Sequence, residues 1–128
     1  MPLNTILIED SETIRENLIP TLAELVNAHV IAVAQTASEA IEALGRHKPD
    51  WDLAVVDLFL KEGSGLSVLR AAQDRLPHQR MVVLTNYPTA EIRRRCLALG
   101  ADGVFDKSTE LEAFFDLCRS YGAPGTRL

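Results

Sequence analysis

Cysteine is scarce: Cys96 and Cys118 are the only two thiols in 128 residues. With no Cys-x-x-Cys and no clustered histidine, neither a disulfide framework nor a zinc site is expected, and both thiols read as core or surface residues. Long apolar runs are missing too; none approaches the roughly 18 residues that cross a bilayer, so no membrane span or membrane partner is expected. Positive charge is in deficit, with 13 Lys and Arg against 18 Asp and Glu, a net charge of −5 and a pI near 5.1. Nucleic-acid binding rests on basic groups that neutralise phosphates, so direct contact with nucleic acid is not expected. The one basic run, Arg93-Arg94-Arg95, lies in a helical pattern and reads as a solvated face. No basic leader with a small-residue cleavage site opens the chain, which points to the cytoplasm. Repeats, low-complexity tracts and internal linkers are also lacking, and the length fits one domain, with no room for a second folded output domain.

What is present is alternation. Short apolar, β-branched runs at Leu3–Ile8, Val30–Ala34, Leu53–Val56, Met81–Leu84 and Gly103–Phe105 read as strands buried on both faces of a parallel sheet. Stretches of helical period separate them. Thr36-x-x-Glu39 is a capping box followed by Ala37, Ala40, Ile41 and Leu44 on one face, with Gly45 as a stop. Further helices are expected over about Glu12 to Leu25 with a kink at Pro20, from Gly65 to before Pro77, from Thr89 to Gly100, and from Glu110 through Cys118. Trp51 should pack over the connection after the second helix, and His29, His47 and His78 read as solvated. The domain is expected to cover residues 1–121, with a frayed tail at 122–128. Five strands alternating with five helices make an α/β doubly wound parallel sheet, in which ligands bind beyond the carboxyl ends of the strands.

The residues at those ends are Glu9-Asp10, Asp57, Thr85 and Asp106-Lys107. Carboxylates brought to one rim repel and lose solvation, a cost that is offset when a hard cation such as Mg²⁺ sits among them. Asp57, held by the most hydrophobic strand, can act as a nucleophile toward phosphorus, while Thr85 and Lys107 supply a hydroxyl donor and a positive charge for phosphoryl oxygens. Such a transfer needs positioning and electrostatics more than covalent help.

As a set, Glu9-Asp10, Asp57 with Gly65 eight residues on, Thr85, and Lys107 preceded by Phe105 resemble the receiver domain of two-component response regulators, over about the whole chain to Ser120. The resemblance implies a flavodoxin-like (βα)5 fold with strand order 2-1-3-4-5. It implies that Asp57 accepts a phosphoryl group from a histidine kinase or phosphotransfer protein, and that the chain is a signalling domain that catalyses only its own phosphorylation and dephosphorylation. Mg²⁺ would be held by Glu9, Asp10, Asp57 and the backbone carbonyl of Phe59. Thr85 and Lys107 would engage the phosphoryl oxygens. Phe105 would be either an aromatic switch that turns inward with Thr85 or an ordinary core aromatic. The fourth helix, fifth strand and fifth helix would present the face for a downstream protein, and a phosphorylation-dependent homodimer through the fourth helix is a further expectation.

Three positions depart from the family pattern: Ser108 and Lys61 stand where proline is usual, and Asn86 replaces a smaller residue and should narrow entry to the site. Phe59 and Tyr87, each two residues past a site residue, should rim its mouth, either slowing hydrolysis of an aspartyl phosphate or serving a partner surface. A haloacid-dehalogenase-type hydrolase or a toprim-type nuclease needs a second Asp where Phe59 stands, and a dinucleotide site needs a glycine-rich turn where Glu9-Asp10-Ser11 would repel the pyrophosphate. The remaining alternative is a degenerate receiver that serves as a phosphorylation-independent protein scaffold.

Overall fold

The computed structural model describes residues 2–122. Its elements alternate without interruption: β1 (Leu3–Ile8), α1 (Glu12–Val26), β2 (Ala28–Ala34), α2 (Ala37–Arg46), β3 (Leu53–Asp57), α3 (Gly65–Ala71), β4 (Arg80–Thr85), α4 (Ala90–Ala98), β5 (Gly103–Asp106) and α5 (Leu111–Tyr121). All strand pairs are parallel, in the order β2-β1-β3-β4-β5, which is the expected flavodoxin-like arrangement. Apart from Gly122, the tail expected at 122–128 lies outside the described residues.

Period-two side-chain alternation explains why the central strands read as unbroken apolar runs. In β3, Ala54 and Val56 join the cluster under α2, α3 and α4, while Leu53 and Val55 join the cluster under α1 and α5. β4 divides likewise, with Met81 and Val83 on one face and Val82 and Leu84 on the other. The first cluster is filled by small residues of α2 together with Trp51, whose indole N–H donates to Leu44 O of α2, as its expected place over that connection requires. The second is filled by Leu18 and Leu22 of α1 and by Phe114, Phe115 and Cys118 of α5. Both cysteines are buried, and burial pushes the Cys118 thiol up to about 12, which leaves it inert.

Helix starts follow the capping logic. Ser11, Thr36, Ser64 and Thr89 each accept an amide of the first turn, and Glu39 reaches back past the Thr36 cap to accept from Gln35 N. α1 runs through Pro20, whose ring faces solvent, so the missing donor does not end the helix. The strands extend past the apolar runs, taking in Ala28 and His29 in β2, Asp57 in β3, Arg80 and Thr85 in β4 and Asp106 in β5. Asp57 and Thr85 are therefore the last residues of rigid strands rather than the first residues of loops.

Two expectations about charged residues are corrected. Arg93 is only partly solvated: its guanidinium donates to Pro88 O (3.1 Å), Val104 O (2.8 Å) and Glu110 Oε1 (2.7 Å), and it is half-buried where Arg94 and Arg95 of the run are exposed. His78 is not simply solvated either, since its Nε2 lies 3.5 Å from the buried Asp52 carboxylate.

Candidate functional site

The strand order reverses between β1 and β3, and at this point an open parallel sheet leaves a crevice beyond its carboxyl ends. Glu9 and Asp10 follow β1 on one side of the crevice, and Asp57 ends β3 on the other. Carboxylate oxygens of all three lie within 4.8 Å of one another, with Glu9 and Asp57 buried and Asp10 half-buried. β4 and β5 bring Thr85 and Lys107 to the same rim, where Lys107 N donates to Thr85 O at 3.0 Å. Every residue read from the sequence as a strand-end group thus stands at one end of the sheet.

Lys107 Nζ lies 2.7 Å from Glu9 Oε1 and 3.2 Å from Asp57 Oδ2, so a single ammonium bridges two buried carboxylates. The other oxygens are held by backbone amides: Ser11 N donates to Glu9 Oε2 at 3.1 Å and Phe59 N to Asp57 Oδ1 at 3.2 Å. Arg15 ties the Glu9 carbonyl at 2.9 Å. Burial pushes the Glu9 carboxyl above its ordinary value; the Lys107 and Ser11 hydrogen bonds oppose the rise and the neighbouring Asp57 charge adds to it. Three carboxylates against one lysine leave an excess of negative charge on hard oxygen donors, a donor set that suits Mg²⁺ or Ca²⁺ rather than a soft metal.

The rest of the rim is shaped by close backbone approach. A Cβ at Gly65 would stand 2.5 Å from Asp57 O, so only glycine lets α3 begin directly against the end of β3, where Gly65 N donates to Leu58 O. The β3–α3 loop is pinned by a bridge between Phe59 and Ser64 and by another between Glu62 and Thr36. Gly63, at φ +82°, packs where a Cβ would meet that of Ala37. On the opposite side, Thr85 Oγ1 accepts from Tyr87 N at 3.2 Å, which leaves its own proton available to donate.

Phe59 and Tyr87 are 54% and 64% exposed, yet their rings meet edge-on at 5.4 Å, joining the β3–α3 and β4–α4 loops. Asn86 is exposed and lines a groove of about 410 Å³ between α1 and α5 that reaches Lys107. Phe105 is half-buried, packed edge-on against Phe114 at 6.1 Å and over Gly103. No peptide bond among the described residues is cis, so Lys107–Ser108 is trans. Sequence reasoning passed over the Arg93–Glu110 pair; a basic residue in a helix four positions after a Thr cap carries no mark that it will turn inward.

A family model described as the response regulator receiver domain matches residues 5–119. The acid tolerance regulatory protein ActR of Rhizobium meliloti is 34% identical over 102 residues, 78% of this chain and 50% of its own length. The DNA-binding transcriptional activator DevR/DosR of Mycobacterium tuberculosis is 30% identical over 97 residues, 76% of this chain and 44% of its own. The chain spans about half the length of the curated relatives it matches. Among solved structures, the receiver domain of AraT, a response regulator from Geobacillus stearothermophilus, superposes with a TM-score of 0.77 at 26% identity, covering 94% of this chain and 93% of that one. A response regulator from Burkholderia pseudomallei, solved with a phosphorylated aspartic acid, a calcium ion and citrate, gives 0.75 at 28% identity, covering 88% and 64%.

Proposed function

The chain belongs to the response regulator receiver domain family of two-component systems, and from that premise we propose that Asp57 is its phosphoacceptor. The observation that carries the reading is the position of Asp57: a buried carboxylate at the end of a rigid strand, within reach of two further carboxylates and 3.2 Å from Lys107. A carboxylate oxygen of Asp57 attacks the phosphorus of a phosphohistidine on a kinase or phosphotransfer protein. The new P–O bond forms as the P–N bond breaks, and the imidazole leaves with its electron pair and is protonated. Lys107 exchanges its carboxylate contacts for a phosphoryl oxygen, and Thr85 turns its free O–H to another. Glu9, Asp10, Asp57 and the Phe59 carbonyl would hold Mg²⁺, which would supply Lewis-acid neutralisation of the transferring group.

In this reading, residues 1–121 are a signalling domain rather than an enzyme acting on other substrates. Occupancy at Asp57 biases the face formed by α4, β5 and α5, with Phe105 as its inward-turning aromatic, toward a protein target or a second copy of the chain. Support for the metal comes from the hard donor set and from the calcium ion in the phosphorylated Burkholderia relative. Intact mass after incubation with a small phosphodonor and Mg²⁺ tests the proposal. One phosphoryl adduct is expected on the wild type and none on Asp57→Asn. If no adduct forms even from a histidine-phosphorylated donor, and Mg²⁺ does not bind, the phosphorylation-independent scaffold is the correct reading.

A further inference from the structure

α4 is the helix least held by apolar packing. Cys96 is its only buried residue, whereas α1, α3 and α5 each bury three and α2 buries four. A helix so lightly seated opens at low free energy unless polar contacts hold it. Arg93 supplies them. Its three donor-bearing nitrogens reach three separate segments: Nε to Pro88 O in the β4–α4 loop, Nη1 to Val104 O in β5, and Nη2 to Glu110 Oε1 at the end of the β5–α5 loop. The same Glu110 oxygen accepts Asp106 N at 3.0 Å, and Glu110 N donates to Asp106 O, so the turn that carries Lys107 and Ser108 is closed on the atom that Arg93 grips.

We propose that Arg93 and Glu110 form a coupling strut that makes α4 and the Lys107 loop respond together to what happens at Asp57. The inference rests on the phosphoacceptor reading and adds to it the means of transmission. The two loops joined by the strut are the one that follows Thr85 and the one that bears Lys107, already linked by the Lys107 N–Thr85 O hydrogen bond. When Thr85 and Lys107 close on a phosphoryl group, the Pro88 carbonyl moves with the β4–α4 loop. Arg93 follows it, and α4 is drawn along because little else fixes it. Without the strut, Thr85 still closes, but its movement ends in the loop. The planar guanidinium is required, because a lysine ammonium presents its donors from one point and cannot reach three segments at once. Arg93 and Glu110 are positioning residues and touch no reacting atom.

Hydrogen exchange by mass spectrometry, with beryllofluoride and Mg²⁺ as the phosphoryl mimic, separates transmission from binding. In the wild type, the mimic should slow exchange several-fold in the Thr85–Tyr87 loop, the 107–110 loop and α4 together. Arg93→Ala and Glu110→Ala should still bind the mimic and slow exchange around Thr85, while the response across α4 disappears. Glu110→Gln keeps an acceptor oxygen for Arg93 and Asp106 N and should restore the α4 response, which a general loss of stability would not do. An α4 response of wild-type size in both alanine variants would overturn the strut while leaving the phosphoacceptor reading intact. No response anywhere in the wild type would overturn the phosphoacceptor reading and the strut with it.

Discussion

At the amino end of the sheet, Asp52 stands one residue before β3 and accepts the amide of Asn4 in β1 at 2.8 Å; Asp102 stands one residue before β5 and accepts the amide of Met81 in β4 at 2.8 Å. Both carboxylates do the same work: each closes a backbone donor on the neighbouring strand. Arg75 then pairs with Asp102 at 3.1 Å and caps the carbonyls of Ala72, Gln79 and Gly100, while Gln79 donates to Lys48 O and Trp51 O. At the carboxyl end, Glu9, Asp10 and Asp57 close no neighbouring strand, and one lysine faces the three of them. Polar groups at the first rim match one another in number and geometry, as a structural cluster must. At the second rim they leave negative charge over. Unbalanced charge on rigid elements, rather than polarity as such, marks the working end of this sheet.

The comparison breaks most sharply if the amino rim is opened. Asp102→Ala leaves the buried Met81 amide without an acceptor and Arg75 without its carboxylate, and should cost about 3 kcal/mol of stability. Mg²⁺ affinity of the folded fraction should not change. Urea unfolding with a magnesium titration on the same sample checks both halves; a variant as stable as wild type would show that the amino rim is not structural.

The reverse substitution sharpens the contrast. Asp10→Asn removes one negative charge from the carboxyl rim, where charge is in excess, and should lower Mg²⁺ affinity at least tenfold, about 1.4 kcal/mol. Without metal, the variant should unfold at the same or a higher urea concentration than wild type, because repulsion with Glu9 and Asp57 is relieved. Calorimetric titration gives the first quantity. Metal-free destabilisation comparable with that of Asp102→Ala would erase the distinction between the rims.

The sequence shows the carboxyl rim more plainly than the amino one for a physical reason. A polar residue that ends an apolar run announces itself, so Glu9, Asp57, Thr85 and Lys107 stand out, and their order and spacing carry the family pattern. Asp52 and Asp102 precede their strands and look like ordinary turn residues; only the strand pairing reveals which amides they close. The same limit moved the strand ends. Hydrogen bonding continues into Asp57 and Asp106 after hydrophobicity stops, and the outer strand β2 begins at Ala28-His29, where one face is already exposed. Arg93 was illegible because a long side chain finds its partners through tertiary geometry, and three consecutive arginines look alike until the helix is docked.

The loops that follow Asp57 and Thr85 are joined by the edge-on contact of Phe59 with Tyr87. An aromatic pair of this kind is worth about 0.5–1.5 kcal/mol. Phe59→Asn removes the contact and introduces a group that can orient water, so dephosphorylation of the aspartyl phosphate should quicken several-fold, with phosphorylation still confined to Asp57. Decay of the intact-mass adduct after removal of the donor measures it. An unchanged decay would assign the two rings to a partner surface instead.

The smallest effect is expected where the charges match but solvent reaches them. Arg93 and Glu110 are 37% and 36% exposed, so their pairing is screened and adds little to overall stability, whatever it does for transmission. The hydrogen bond from Arg93, then the Asp106 amide, holds the Glu110 carboxyl below the usual carboxylate range. A carboxyl lowered on folding contributes its full stabilisation above the unfolded value of about 4.3 and loses it as pH falls through the lower folded value. Glu110→Gln keeps the hydrogen-bond geometry but not the charge. The gap in urea midpoint between wild type and this variant should therefore be small at neutral pH and close as the pH is taken below about 4. High salt should narrow the same gap at neutral pH. A gap that neither acid nor salt changes would mean that Glu110 acts at this joint through shape alone, with no contribution from its charge.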